Sequence, residues 1–109
     1  MSKYYVITMS DGSEWGVPAE TIARNRADYY EDIEPGCWQY EYDEMMVWFD
    51  TANRRFAEWA QTCMDWDDVK EYAVCLKEMN PVVDFQDGWF NGECAYKNIP
   101  PPRKGISYD

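Results

Sequence analysis

Twenty-one carboxylates and four thiols make up most of the reactive side chains of this 109-residue chain, and histidine is absent. Without imidazole the commonest general base is missing, and proton transfer would fall to carboxylates. A glycoside hydrolase needs two of them across a sugar cleft. Here acids are so abundant that no pair stands out, and so short a chain rarely builds such a cleft. No G-x-S-x-G, Walker A or Rossmann glycine pattern occurs. Gly12, Gly16 and Gly36 stand singly, as turn glycines do. The expectation is a protein that is not an enzyme, with no catalytic residue and no cofactor.

Metal binding is not expected either. Asp65, Asp67 and Asp68 form a tight acidic trio. A calcium loop would need alternating oxygen ligands, a central glycine and a closing glutamate. Cys37, Cys63, Cys75 and Cys94 lie 26, 12 and 19 positions apart with no CxxC pair. That spacing does not suit zinc, and it predicts four free, mostly buried thiols.

The chemistry that remains is recognition. Between Ala27 and Asn53 stand eight carboxylates and seven aromatic residues, with no Lys or Arg. The net charge is −11, with 21 acidic against 10 basic residues. Direct contact with nucleic acid or an anionic membrane is therefore unfavourable, and basic protein clefts are attracted. Solubility alone is the plainer reading of such acidity. Six Trp residues add weight to a contact surface, because rings that a small core cannot absorb are left exposed. Carboxylates three or four apart on a helix stand about 5–6 Å apart, comparable with phosphates along a DNA strand. Asp28, Glu31 and Asp32 have that spacing, and Glu41 and Glu44 would extend the array if the chain folds back.

The elements that must position these groups read as α+β. At 109 residues, 46% of them apolar, one domain with a core is expected, and disorder is not. Lys3 to Met9 and Glu14 to Val17 read as strands joined by an Asp-Gly hairpin turn. Pro18 opens a helix spanning residues 18–31. Trp38 to Tyr42 alternates aromatic and polar residues, a strand-like period. Met45, Phe49, Ala52, Phe56, Trp59 and Cys63 recur every three or four positions, predicting a helix over residues 44–63 that Asp50-Thr51 could interrupt. Phe56 and Trp59 are expected in the core, and Trp15 against the first helix. Asp65 caps a short third helix over residues 66–72, with Asp68 as its capping-box partner. Residues 73–78 read as a strand, and 82–85 as a further candidate. Asp87-Gly88 and Asn91-Gly92 read as turns. The expected architecture is a small antiparallel sheet, the N-terminal hairpin plus the strand near 73–78, packed against two main helices. The domain would span 1–98, with 99–109 an extended, basic, Pro-rich tail. No apolar run could span a bilayer, and the N-terminus lacks a signal-peptide core, which suggests the cytosol.

The run Tyr5-Val6-Ile7-Thr8-Met9-Ser10-Asp11-Gly12-Ser13-Glu14-Trp15-Gly16-Val17-Pro18-Ala19, with Ile22-Ala23 and Asn25-Arg26-Ala27, resembles small tailed-bacteriophage proteins of no known activity. Trp66-Asp67-Asp68-Val69-Lys70 and Asp84-Phe85-Gln86-Asp87-Gly88-Trp89-Phe90-Asn91-Gly92-Glu93 share the resemblance. These segments cover a little under half of the chain; residues 34–56 depart from the pattern, being richer in aromatics and Met. The resemblance implies an origin: a phage gene expressed in the cytoplasm of an infected bacterium.

The functional expectation is a phage accessory protein that binds and inhibits a host protein with a basic surface, in an anti-defence or host-takeover role that DNA mimicry could serve. Asp28, Glu31, Asp32, Glu34, Glu41, Asp43 and Glu44 would supply the field, and Trp38, Tyr40, Tyr42 and Trp48 the anchors. The alternative is a phage structural or assembly protein that forms homo-oligomers through the same rings.

Overall fold

The computed structural model describes residues 2–9, 12–77 and 85–99. β1 (Ser2–Thr8) and β2 (Glu14–Pro18) pair antiparallel, as the hairpin pattern requires. Gly12, at φ +90°, supports the turn with its N–H donated to the Met9 carbonyl at 2.9 Å; Ser10 and Asp11 lie outside the described residues. Pro18 ends β2, and α1 (Ala19–Ile33) starts at once. β3 (Val74–Lys77) pairs with β2 at one edge, and β4 (Glu93–Ile99) with β1 at the other. The sheet order is β3-β2-β1-β4, and every pairing is antiparallel. The fold is α+β.

Several expectations are corrected. Trp38 to Tyr42 is not strand but the first turn and more of α2 (Trp38–Thr51). The alternation hides a helical repeat: Trp38 stacks on Tyr42, one turn away, with centroids 5.1 Å apart and planes at 11°. The long helix is two helices, α2 and α3 (Asn53–Cys63). Ala52 leaves the helical region at φ −143°, ψ 63°. The Asn53 amide donates to the Phe49 carbonyl that the break frees, and Thr51 Oγ1 donates back to the Val47 carbonyl at 2.8 Å. The break resets the phase of the stripe. In α3 the buried residues are Phe56 and Ala60, followed by Met64; Trp59 is half-buried and Cys63 exposed.

The third correction concerns the end of the chain. The Asp87-Gly88 turn lies inside α5 (Phe85–Asn91). Packing overrides the glycine, because Phe85 and Trp89, one turn apart, both meet rings of the core. Phe85 stacks on Trp66 at 5.1 Å, and Trp89 meets Tyr5 edge-on at 5.5 Å. Trp15 packs against Trp66 and Phe85, at 6.0 and 5.3 Å. Residues 82–84 of the further strand lie outside the described residues. β4 itself was not foreseen, and Ile99 belongs to it; residues 100–109 lie outside the described residues. Fourth, the thiols are not mostly buried. Cys63, past the phase break, and Cys75, on the edge strand, are exposed, and none of the four cysteines forms a disulfide. The helix over 66–72 is a single turn, α4 (Trp66–Val69), held by the expected Asp65–Asp68 capping box.

The core sits between one face of the sheet and the helices. Tyr5, Ile7 and Val17 from the sheet meet Ile22, Met45, Phe49, Phe56 and Trp89. Trp89 is fully buried, and its indole N–H donates to the carbonyls of Ala60 and Met64 at 2.8 and 3.1 Å. It thereby satisfies carbonyls at the end of α3 that would otherwise be orphaned. Gly92 closes the α5–β4 corner against β1. A Cβ there would lie 2.3 Å from the Thr8 carbonyl oxygen and 2.5 Å from that of Gly88. Both are backbone atoms and cannot swing away. Gly92→Ala should therefore destabilise by about 1–3 kcal/mol or more, read as a lower urea midpoint at unchanged m-value.

Tyr5 donates to or accepts from Cys94 Sγ at 3.0 Å. Burial, then that bond, hold the Tyr5 hydroxyl far above the ordinary phenol range. Burial, reinforced by Cys94, pushes Tyr96 up to about 12. Unfolded, both titrate near pH ~10, so above that pH the unfolded chain loses protons first. The stability they contribute is intact below about pH 10 and falls as pH rises toward about 12. Urea midpoints at about pH 8, 10 and 11 should show the fall, and Tyr96→Phe should flatten part of it.

Candidate protein-binding face

The acidic, aromatic stretch folds as a helical hairpin. α1 runs through Ile33, residues 34–37 form the connection, and α2 returns along α1. Contacts descend one helix as they climb the other, from Asp28–Trp38 to Arg26–Glu41. Glu31 builds the corner: its carboxylate accepts the N–H groups of Gly36 and Trp38 at 3.0 and 2.9 Å. Those are donors at the start of α2 with no intrahelical partner. Gly36 turns the chain at φ +100°.

Between the helices lies Arg26, 7% exposed. Its guanidinium pairs with Glu41 at 2.8 Å and Glu44 at 3.2 Å, and donates to the Glu41 carbonyl at 3.2 Å. Three rings surround it: Trp48 at 4.5 Å, Tyr30 at 5.1 Å and Trp59 at 6.0 Å. An isolated buried cation would be costly. Here two carboxylates and three π faces replace its water. Arg55 lies over the outer side of this cage, 5.5 Å from the Trp48 ring.

Along this seam α1 and α3 leave a groove. A 440 Å³ cavity is lined by Arg26, Trp48, Arg55 and Glu58 among others. A 650 Å³ cavity beside it is lined by Asp28, Asp32, Tyr29 and Asn25, and the two share Tyr30, Trp59 and Cys63. Asn25 Oδ1 accepts the Trp59 indole N–H at 3.0 Å, fixing that ring.

The expected contact residues divide into two groups. Glu41 and Glu44 turn inward to Arg26, and Glu31 is spent on the corner. Trp48 is half-buried against Arg26, and Trp38 gives its indole N–H to Asp28 at 2.7 Å. Tyr42, half-buried, donates to Glu20 at 3.5 Å, and burial followed by the Glu20 charge raises its hydroxyl. Asp28, Asp32, Glu34, Asp43 and Tyr40 are exposed. Tyr40 donates to Glu44 at 3.1 Å; that bond, then the Glu44 charge, raises its hydroxyl too. The structure adds residues that the sequence did not assign to this face: Arg26, Arg55, Tyr29, Tyr30 and Trp59. Tyr29 could have been found from its helical spacing with Asn25, Asp28 and Asp32. Trp59 reads from its spacing as a core residue, and it does pack against the core, half-buried, while also lining the groove.

No family model matches the chain, and neither curated proteins nor solved structures include a significant match to it. Among the described residues no helix is long and apolar enough to cross a membrane, and no cluster of His, Cys, Asp or Glu could hold a metal ion.

Arg26→Met would strand the Glu41 carboxylate between the helices. It should destabilise by about 3–5 kcal/mol, and adding Glu41→Leu should recover most of the loss. Paired urea titrations of the single and double variants measure both.

Proposed function

We propose that this chain is a non-catalytic phage accessory protein that binds and inhibits a host protein through the outer face of the α1–α2 hairpin. The observation that carries the reading is the make-up of that face. Asp28, Asp32, Glu34 and Asp43 are exposed beside Tyr29, Ile33, Tyr40 and Val47, which are 53–65% exposed. No Lys or Arg interrupts the sequence from Ala27 to Asn53. Carboxylates there steer a basic partner, and the apolar side chains give it area to bury. With Glu31, Glu41 and Glu44 engaged internally, the contact is one of matched charge rather than a phosphate-by-phosphate copy of DNA. Its place of action would be the cytoplasm of the infected bacterium.

The rival reading is self-association of a structural or assembly protein, for which the exposed Ile33, Tyr40 and Val47 speak. Salt separates the two. Binding to a basic partner weakens as salt rises from about 50 to about 500 mM. Association between two copies, each of charge −11, strengthens over that range. Capture from host lysate with immobilised protein should retain a basic host protein, release it in salt, and lose it with Asp32→Asn/Glu34→Gln/Asp43→Asn. Sedimentation across the same salt range should show a monomer; a salt-promoted oligomer with no captured partner would replace this reading by the rival.

A further inference from the structure

The acidic end of the groove between α1 and α3 has a chemistry of its own. Tyr29, Tyr30 and Trp59 lie with ring centroids 5.1–5.8 Å apart. Asp28 and Asp32, one helical turn apart on α1, line the same 650 Å³ cavity, and no Lys or Arg does. Asp32 has no hydrogen-bond or ion-pair partner among the described residues. Arg26 is more than offset by Glu41 and Glu44, and the exposed Arg24, which lines a separate cavity with Asp28, still leaves Asp28 and Asp32 with one negative charge in excess. The rings also show what they hold well: from the adjoining cavity, Tyr30 and Trp59 already face the guanidinium of Arg26.

We propose that this cavity is a receptor for an arginine side chain presented by the protein partner, with Tyr29, Tyr30 and Trp59 stacking on the guanidinium and Asp28 and Asp32 pairing with it. The proposal rests on the reading above of a basic protein partner and specifies how that partner is anchored. A guanidinium suits the site better than an ammonium. It is planar, stacks on rings and sheds its water more readily, while keeping enough N–H donors for two carboxylates. Asn25 holds the Trp59 indole in place before any ligand arrives, so little ordering is left for binding to impose.

The test is an NMR titration of the whole chain with Nα-acetyl-arginine methylamide, following the Trp59 indole N–H, assigned through Trp59→Phe. A saturable shift centred on Trp59, Tyr29 and Asn25 is expected. The neutral isostere, Nα-acetyl-citrulline methylamide, should give no saturable shift, and the lysine analogue should bind more weakly. Asp32→Asn, at an exposed position remote from the core, should weaken binding about two- to fivefold, the factor an exposed ion pair supplies. No saturable shift at Trp59, or equal binding of arginine and citrulline analogues, overturns the proposal. So does a shift produced by a neutral oligosaccharide and not by the arginine analogue, which would make the groove a sugar site. The two readings also fail separately. Salt-sensitive capture of a basic protein that survives Tyr29→Ala and Asp32→Asn would sink the arginine receptor alone. An arginine response at Trp59 with no basic protein captured would sink the partner reading and leave the receptor standing.

Discussion

A positive charge buried among helices needs its surroundings fixed in advance. Arg26 imposes that constraint here. It stands on α1, draws Glu41, Glu44 and Trp48 from α2, and meets Trp59 from α3. Each helix thereby supplies part of one solvation shell. Desolvating the guanidinium is tolerable only if all of these groups arrive together, which ties the angle of the hairpin to the placement of α3. The groove beside it follows from the same arrangement. Its rings are half-covered because they serve the buried cation on one side and open to solvent on the other.

That constraint also explains why acidity in the sequence overstates acidity at the surface. Glu31, Glu41 and Glu44 look like members of a solvent-facing array when read at helical spacing. One caps a helix and two neutralise Arg26. The remaining acids, Asp28, Asp32, Glu34 and Asp43, are fewer and exposed. Glu20 and Asp28 hold the Tyr42 and Trp38 rings in place, so part of the negative charge is structural and part is presented.

The α+β class, the hairpin at β1 and β2, the first helix and the Asp65–Asp68 cap were legible in the sequence because each is written in adjacent residues. Asp-Gly between β-branched runs and Pro at a helix start act locally. What was not legible depends on distant partners. Trp38 to Tyr42 reads as period two until Glu41 and Glu44 are given Arg26 to pair with. Gly88 reads as a turn until Phe85 and Trp89 are given Trp66 and Tyr5 to pack on. β4 is a short, mixed stretch whose Cys94 and Tyr96 become strand residues only beside β1. At the candidate face, the acids and Tyr40 were legible from composition. Trp59 was legible only as a core residue, since the partners that make it part of the groove, Asn25, Arg26, Tyr29 and Tyr30, all lie on α1.

The pairing of β1 with β4 joins Ser2 to Ile99 and brings Tyr5 to Cys94, 89 positions away. The β1–β2 hairpin can close on its own, but the strand on the other side of β1 must be recruited across almost the whole chain. Loop closure on that scale is entropically expensive and makes folding slow relative to a helical bundle of equal size. Until it happens, one edge of β1 offers unpaired amides to any extended segment nearby. The step that completes the sheet thus also transfers the open edge from β1 to β4.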